Sequence, residues 1–152
     1  MASPYLIPAV IEVLEGISGF PKVFLDMVPT GQGLYSPVTD DMPAVVIEDL
    51  GEISEVNASK QAGKPIAVRH AFALRAYSTE TSSSAMKTRE ILAQIGGALT
   101  TGSISLTGQL GTVSLVRRPG SNSVRYAGEK SESGLMVFRG EMFYEARYRP
   151  PY

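Results

Sequence analysis

The chain has 152 residues, 14 Lys and Arg against 15 Asp and Glu, a formal net charge of −1 and no cysteine. That length suits one domain with a substantial core. The near-neutral charge argues against a nucleic-acid binder held by a broad basic surface, though not against a protein that merely surrounds DNA. Without thiols there are no disulfides, no thiolate catalysis and no Cys-ligated metals. No Lys or Arg precedes Lys22, and Glu12 and Glu15 interrupt the first apolar run, so the N-terminus does not read as a secretory leader. No stretch approaches the roughly 18 apolar residues of a membrane span, and a soluble protein is expected.

In chain order, residues 4–17 predict a helix. Ile7, Val10, Ile11, Leu14 and Ile17 recur at helical spacing, Ser3 caps the start, and Gly16 and Gly19 end it. Pro8 places the true start near residue 7. Residues 20–28 (FPKVFLDMV) predict a short strand stopped by Pro29, followed by a Pro/Gly loop at 29–43. Residues 44–50 (AVVIEDL) predict a second strand, its apolar start buried on both faces, and 51–67 reads as another loop.

Residues 68–99 form the central unit. His70, Phe72, Leu74 and Ala76 alternate with Arg69, Arg75 and Tyr77, the period of a strand covered on one face. After a polar run at 78–84 the period changes, and Thr88, Ile91, Leu92, Ile95 and Leu99 share one helical face. Gly96 and Gly97 each lower helix stability by about 1 kcal/mol relative to Ala and are expected to loosen or end it. Residues 112–118 predict a further strand, and the Gly/Ser-rich stretch 119–134 a mobile hairpin arm. Residues 135–148 alternate cleanly, with Gly140 expected at a bend or bulge, before a tail at 149–152 (RPPY). Residues 1–152 thus read as one α+β domain: a mostly antiparallel sheet of four to five strands, two helices on one face, and arms at 29–43, 51–67 and 119–134.

The search for chemistry finds little. His70 is the one histidine, and a Ser–His–Asp site would pair it with Ser82, Ser83 or Ser84, but no G-x-S-x-G elbow exists and the mid-strand setting suits a packed histidine. GQGLYS at 31–36 lacks the third glycine of a dinucleotide loop, and Gly63-Lys64-Pro65 has proline where a phosphate loop needs Ser or Thr. The carboxylates Asp40, Asp41, Glu48, Asp49, Glu52 and Glu55 match no calcium or magnesium loop and read as a solvated acidic surface. No catalytic, cofactor or metal residue is assigned. The candidate contacts with subunits or partners are Asp40, Asp41, Lys60, Lys64, Arg117, Arg118, Arg125, Arg147, Arg149 and Tyr152.

The order of features resembles the tail terminator (tail completion) proteins of long-tailed bacteriophages and gene-transfer particles. The resemblance is carried by LIPAVIEVLEGI, VFLDMVPTG, PAVVIEDLGE, the K-x-x-G-K loop into HAFALRAYS, KTREILAQIGGAL, L-x-G-x-x-V-S-L-V and GLMVFRGEMFYEARY. It spans nearly the whole chain, with departures in the loop at 29–43 and the RPPY tail. It implies a non-enzymatic virion protein at the tail–neck junction, assembled in the host cytoplasm. In this family six copies form a ring that caps the tail tube, stops its polymerisation and docks the head connector, with DNA passing through the lumen unread. The alternative is another neck or tail joint, a head-completion (stopper) or minor tube protein, and more remotely a hydrolase using His70.

Overall fold

A computed structural model describes residues 6–25, 43–56, 65–80, 86–100, 102–106, 111–118, 123–130 and 136–148. The elements run α1 (Leu6–Glu15), β1 (Lys22–Leu25), β2 (Ala44–Val56), β3 (Pro65–Glu80), α2 (Met86–Ala98), β4 (Gly102–Leu106), β5 (Gly111–Arg117), β6 (Ser123–Lys130) and β7 (Met136–Tyr148). The α+β class, the mostly antiparallel sheet and the two helices agree with expectation. Among the described residues the strands number seven, in the order β1-β2-β3-β7-β5-β4 with β6 also on β7, and only β1 and β2 run parallel.

Three long strands make the frame. β2, β3 and β7 are 13, 16 and 13 residues long. β3 lies between the other two along nearly its whole length, from Val68 opposite Tyr148 to Glu80 opposite Met136. Residues 51–56 and 65–67, expected as loop, extend β2 and β3 instead. The arm expected at 119–134 contains β6, which continues along β7 where β5 leaves off: Arg117 stands opposite Tyr144 and Ser123 opposite Glu141. The expected arm at 29–43 and the tail at 149–152 lie outside the described residues, apart from Pro43.

Alternation along β3 separates the two faces of the sheet. Val68, His70, Phe72, Leu74, Ala76 and Ser78 are buried beneath the helices, next to Val45 and Ile47 of β2 and Met142, Tyr144 and Ala146 of β7. Phe72 and Tyr144 stand opposite in register with rings stacked 5.5 Å apart. Leu6, Ile7, Ala9, Val10 and Leu14 seat α1 in this core, and Thr88, Ile91, Leu92 and Ile95 seat α2. Pro8 falls in the first turn of α1, where its missing N–H would have had no helical acceptor. α1 touches β1 and β2 at one edge and β4 at the other, so the sheet curls around it.

Gly140 is neither a bend nor a bulge on the β3 side, where the register runs unbroken through Ala76. A Cβ there would lie 2.6 Å from Leu92 Cδ1 and 2.8 Å from Thr88 Cγ2. The missing side chain lets α2 approach β7. Beside it the Ser78 and Thr88 hydroxyls hydrogen-bond, tying β3 to the same helix. α2 also runs through Gly96 and Gly97 to Ala98, because its buried face outweighs their low propensity.

Candidate interaction surface

Among the described residues no helix covers the second face of the sheet, and its composition changes from end to end. Near β1, the paired strand starts bury Ala44, Val46 and Tyr77 in a small apolar cluster with Phe24 packed against it, and Lys22 lies 5.2 Å from the Phe24 ring centre. This explains why residues 44–47 read as buried on both faces.

The middle of the face is a balanced ladder. Arg75 binds Glu48 of β2 and lies 3.6 Å from Glu141 of β7, and Arg139 lies 3.1 Å from the same Glu141. Burial alone would lower the Arg75 pKa. The hydrogen bond to Glu48 and the negative charges of Glu48 and Glu141 outweigh it and hold the guanidinium above its ordinary value. Cross-strand pairs of opposite charge support the register of a sheet face that water reaches.

The far end is rich in arginine. Arg69 and Arg147 stand directly opposite each other in register, and Arg118 lies 3.9 Å from Glu145. Leu50, Gly51, Glu52, Arg69, Ala71, Arg118 and Glu145 line a depression of about 400 Å³. Leu50 and Val116 are 46% and 50% exposed at this end. Apolar patches with an arginine rim are the composition from which protein interfaces are built.

Its floor is shaped by a break in β2. Asp49 pairs with Phe72 and Gly51 with Ala71, leaving Leu50 as the extra residue of a bulge. Gly51 has φ +101°, a conformation that L side chains rarely adopt. Asp49 faces inward in step with Val45 and Ile47, and the one-residue slip turns Glu52 to that same side, the side of His70.

His70 is fully buried there. Its Nε2 lies 2.7 Å from Asp49 Oδ1, and its Nδ1 lies 3.4 Å from the Tyr148 hydroxyl and 3.9 Å from Glu52 Oε2. A carboxylate only accepts, so Nε2–H donates to Asp49 and leaves Nδ1 facing Tyr148. The histidine is packed and engaged, as the strand pattern suggests. The expectation of a solvated acidic surface fails for Asp49 and Glu52, whose side chains are 18% and 13% exposed. Ser82, Ser83 and Ser84 lie outside the described residues. Among the described residues, no group of three or more His, Asp or Glu is placed to hold a metal ion.

Of the candidate contacts, Arg118 and Arg147 stand exposed at the arginine-rich end. Arg117 points to the helix side instead. It lies over the Tyr144 ring at 5.8 Å and reaches the Gly96 carbonyl at 3.5 Å, near the C-terminus of α2 where a cation is favourable. Arg125 stands on β6 opposite Arg139 in register. Asp40, Asp41, Lys60, Lys64, Arg149 and Tyr152 lie outside the described residues. Arg69, Arg75 and Glu145 were not among the candidates. Alternation put Arg69 and Arg75 on the outer face, but only the register of three strands shows what stands beside them.

Neither a scan against protein-family models nor a search of curated proteins returned a match. Among the described residues no helix is long and apolar enough to cross a membrane.

Proposed function

We propose that this chain is a structural virion protein of the tail-terminator type, acting at the tail–neck junction. Copies of it close into a ring, six-fold as in the family it resembles, on the head-proximal end of the tail tube. The ring stops tube polymerisation and offers a docking surface to the head connector, while DNA passes through its lumen without being read. No catalytic step and no cofactor enter this reading.

One observation carries it beyond the order of sequence features. Both helices pack on one face of the sheet, while among the described residues no helix covers the other face and no further strand pairs the outer edges of β1 and β4. A sheet edge left open invites strand pairing unless it is covered, and a neighbouring copy or the tube end supplies that cover. Joints of this kind bury upwards of about 1,000 Å² each.

The test is tube assembly in vitro. Tube protein polymerised with this chain is expected to give short tubes carrying a ring at one end in negative-stain images. Tubes of unchanged length with bare ends overturn the proposal. A chain that decorates the head connector but leaves tube length alone favours the stopper reading instead.

A further inference from the structure

His70 joins the three long strands at one end of the sheet. It stands in β3 opposite Glu52 of β2 and Ala146 of β7, and its ring reaches Asp49, Glu52 and Tyr148. The two ring nitrogens differ in what they meet. Nε2 is committed, its N–H donating to Asp49 Oδ1 at 2.7 Å. Nδ1 has a choice: the Tyr148 hydroxyl lies 3.4 Å away, long for a hydrogen bond, and Glu52 Oε2 lies 3.9 Å away. Among the described residues that Glu52 oxygen is buried with no hydrogen-bond partner. Leaving it so is costly, and a neutral imidazole can turn only a lone pair toward it from Nδ1.

Other elements bring no competing charge to the ring. The residues that α1 and α2 bury in the core are apolar except for Thr88. Leu115 of β5, paired with Ala146, is apolar, and the sequence of β4, GSISL, has no ionisable residue. Arg117 is drawn the other way, over Tyr144 toward Gly96. Arg69 and Arg147, the chain neighbours of His70 and Ala146, are exposed on the open face. Among the described residues the titratable groups that face the imidazole are therefore Asp49, Glu52 and Tyr148.

We infer that His70 is a proton-driven switch that exchanges a tie to β7 for a second tie to β2. With Nδ1 bare, it accepts the Tyr148 O–H and links β3 to β7. When Nδ1 takes a proton it becomes a donor, and its N–H passes from Tyr148 to Glu52 Oε2, because a carboxylate is the stronger acceptor for a charged donor. The proton comes from water, no other covalent bond forms or breaks, and the imidazolium is then held between two carboxylates. Acidification thus fastens β2 beyond the bulge and frees the end of β7 from the ring. The switch belongs to the single chain and is independent of the ring of copies.

The test is ring-nitrogen NMR with amide hydrogen exchange on the isotope-labelled full chain, from about pH 8 to about pH 5, the range across which histidine ordinarily changes charge. At the upper end the ring is expected as the Nε2–H form with Nδ1 bare. On acidification Nδ1 is expected to gain a proton. Amide exchange, corrected for its intrinsic pH dependence, should then slow around Glu52 and quicken around Tyr148 by roughly three- to tenfold, the size of one hydrogen bond moved. Glu52→Gln keeps the shape but removes the stronger acceptor, and the slowing around residue 52 is expected to vanish. His70→Gln is expected to show no such response at either segment. An Nδ1 still bare at about pH 5, or a protonated Nδ1 with unchanged exchange at either segment, overturns the switch. A full response in Glu52→Gln or in His70→Gln also overturns it. If neither variant folds, the wild-type titration decides by itself.

Discussion

The Nε2–H of His70 donates to Asp49 Oδ1 at 2.7 Å, and the same oxygen accepts the backbone N–H of Gly51 at 2.9 Å. One carboxylate oxygen thus ties the buried imidazole of β3 to the bulge in β2. That bulge puts Leu50 on the outer surface and turns Glu52 to the side of Asp49 and His70. The polar cluster is therefore a brace under the depression on the open face.

Removal of the brace is expected to destabilise the fold without touching assembly chemistry. Asp49→Ala leaves the imidazole buried without its acceptor and should cost about 2–3 kcal/mol. Gly51→Ala forces a Cβ onto a backbone at φ +101° and should cost about 1–2 kcal/mol. Urea denaturation checks both. His70→Gln should lose about 1 kcal/mol and still assemble, since an amide can keep the bond to Asp49; loss of particle assembly in a folded His70→Gln chain would point to chemistry at His70.

Two glycines should respond in opposite directions. A Cβ on Gly97 meets nothing within 4 Å, so Gly97→Ala should stabilise by about 0.5–1 kcal/mol through helix propensity. Gly140→Ala pushes into Leu92 and Thr88 and should destabilise by about 1–2 kcal/mol. Thermal melts of the two variants separate close packing from conformational freedom.

Alkaline pH tests the core. Burial raises the Tyr144 pKa above 10.0, with the Arg117 charge pulling it partly back. The folded chain then keeps a proton that the unfolded chain has released. The stability this supplies is fully present below about pH 10 and is lost as pH rises through the folded value. Among the described residues the buried Tyr144 hydroxyl has no hydrogen bond of good geometry, and the nearby Arg117 guanidinium only draws its pKa partly back. Tyr144→Phe should therefore be as stable as wild type at pH 7, or more so by up to about 1 kcal/mol. Its stability curve should be flatter above pH 10.

The ladder on the open face predicts a salt effect. Arg75→Ala leaves Glu48 and Glu141 without their shared partner and should cost about 1 kcal/mol at low salt. The loss should shrink as ionic strength rises, because these groups are only partly buried. Denaturation at two salt concentrations measures the difference.

Much of the fold was legible where periodicity is strong. The alternation in β3 and β7 and the helical face of Thr88, Ile91, Leu92 and Ile95 report burial directly. Strand length was less legible. Ile53 to Val56 carry little apolar signal, yet the pairing with β3 runs on to Val56, because backbone hydrogen bonds need no particular side chain. β6 was hidden because its eight residues, SVRYAGEK, lie inside the Gly- and Ser-rich stretch 119–134, and it is β7 that templates them. The arginine-rich end depends on which residues of β3, β5 and β7 stand side by side. Register across strands far apart in sequence leaves no local trace, and neither does the bulge that turns Glu52 inward.

In the proposed ring the two faces of the sheet serve different ends, one sealed by helices and the other joined to a neighbouring copy. Native mass spectrometry of the purified chain over a range of concentrations, alone and with tube ends, tests it most directly. A single closed assembly, of six copies as in the family the chain resembles, is the expected result. A monomer under every condition, or a symmetric dimer that grows no further, contradicts it.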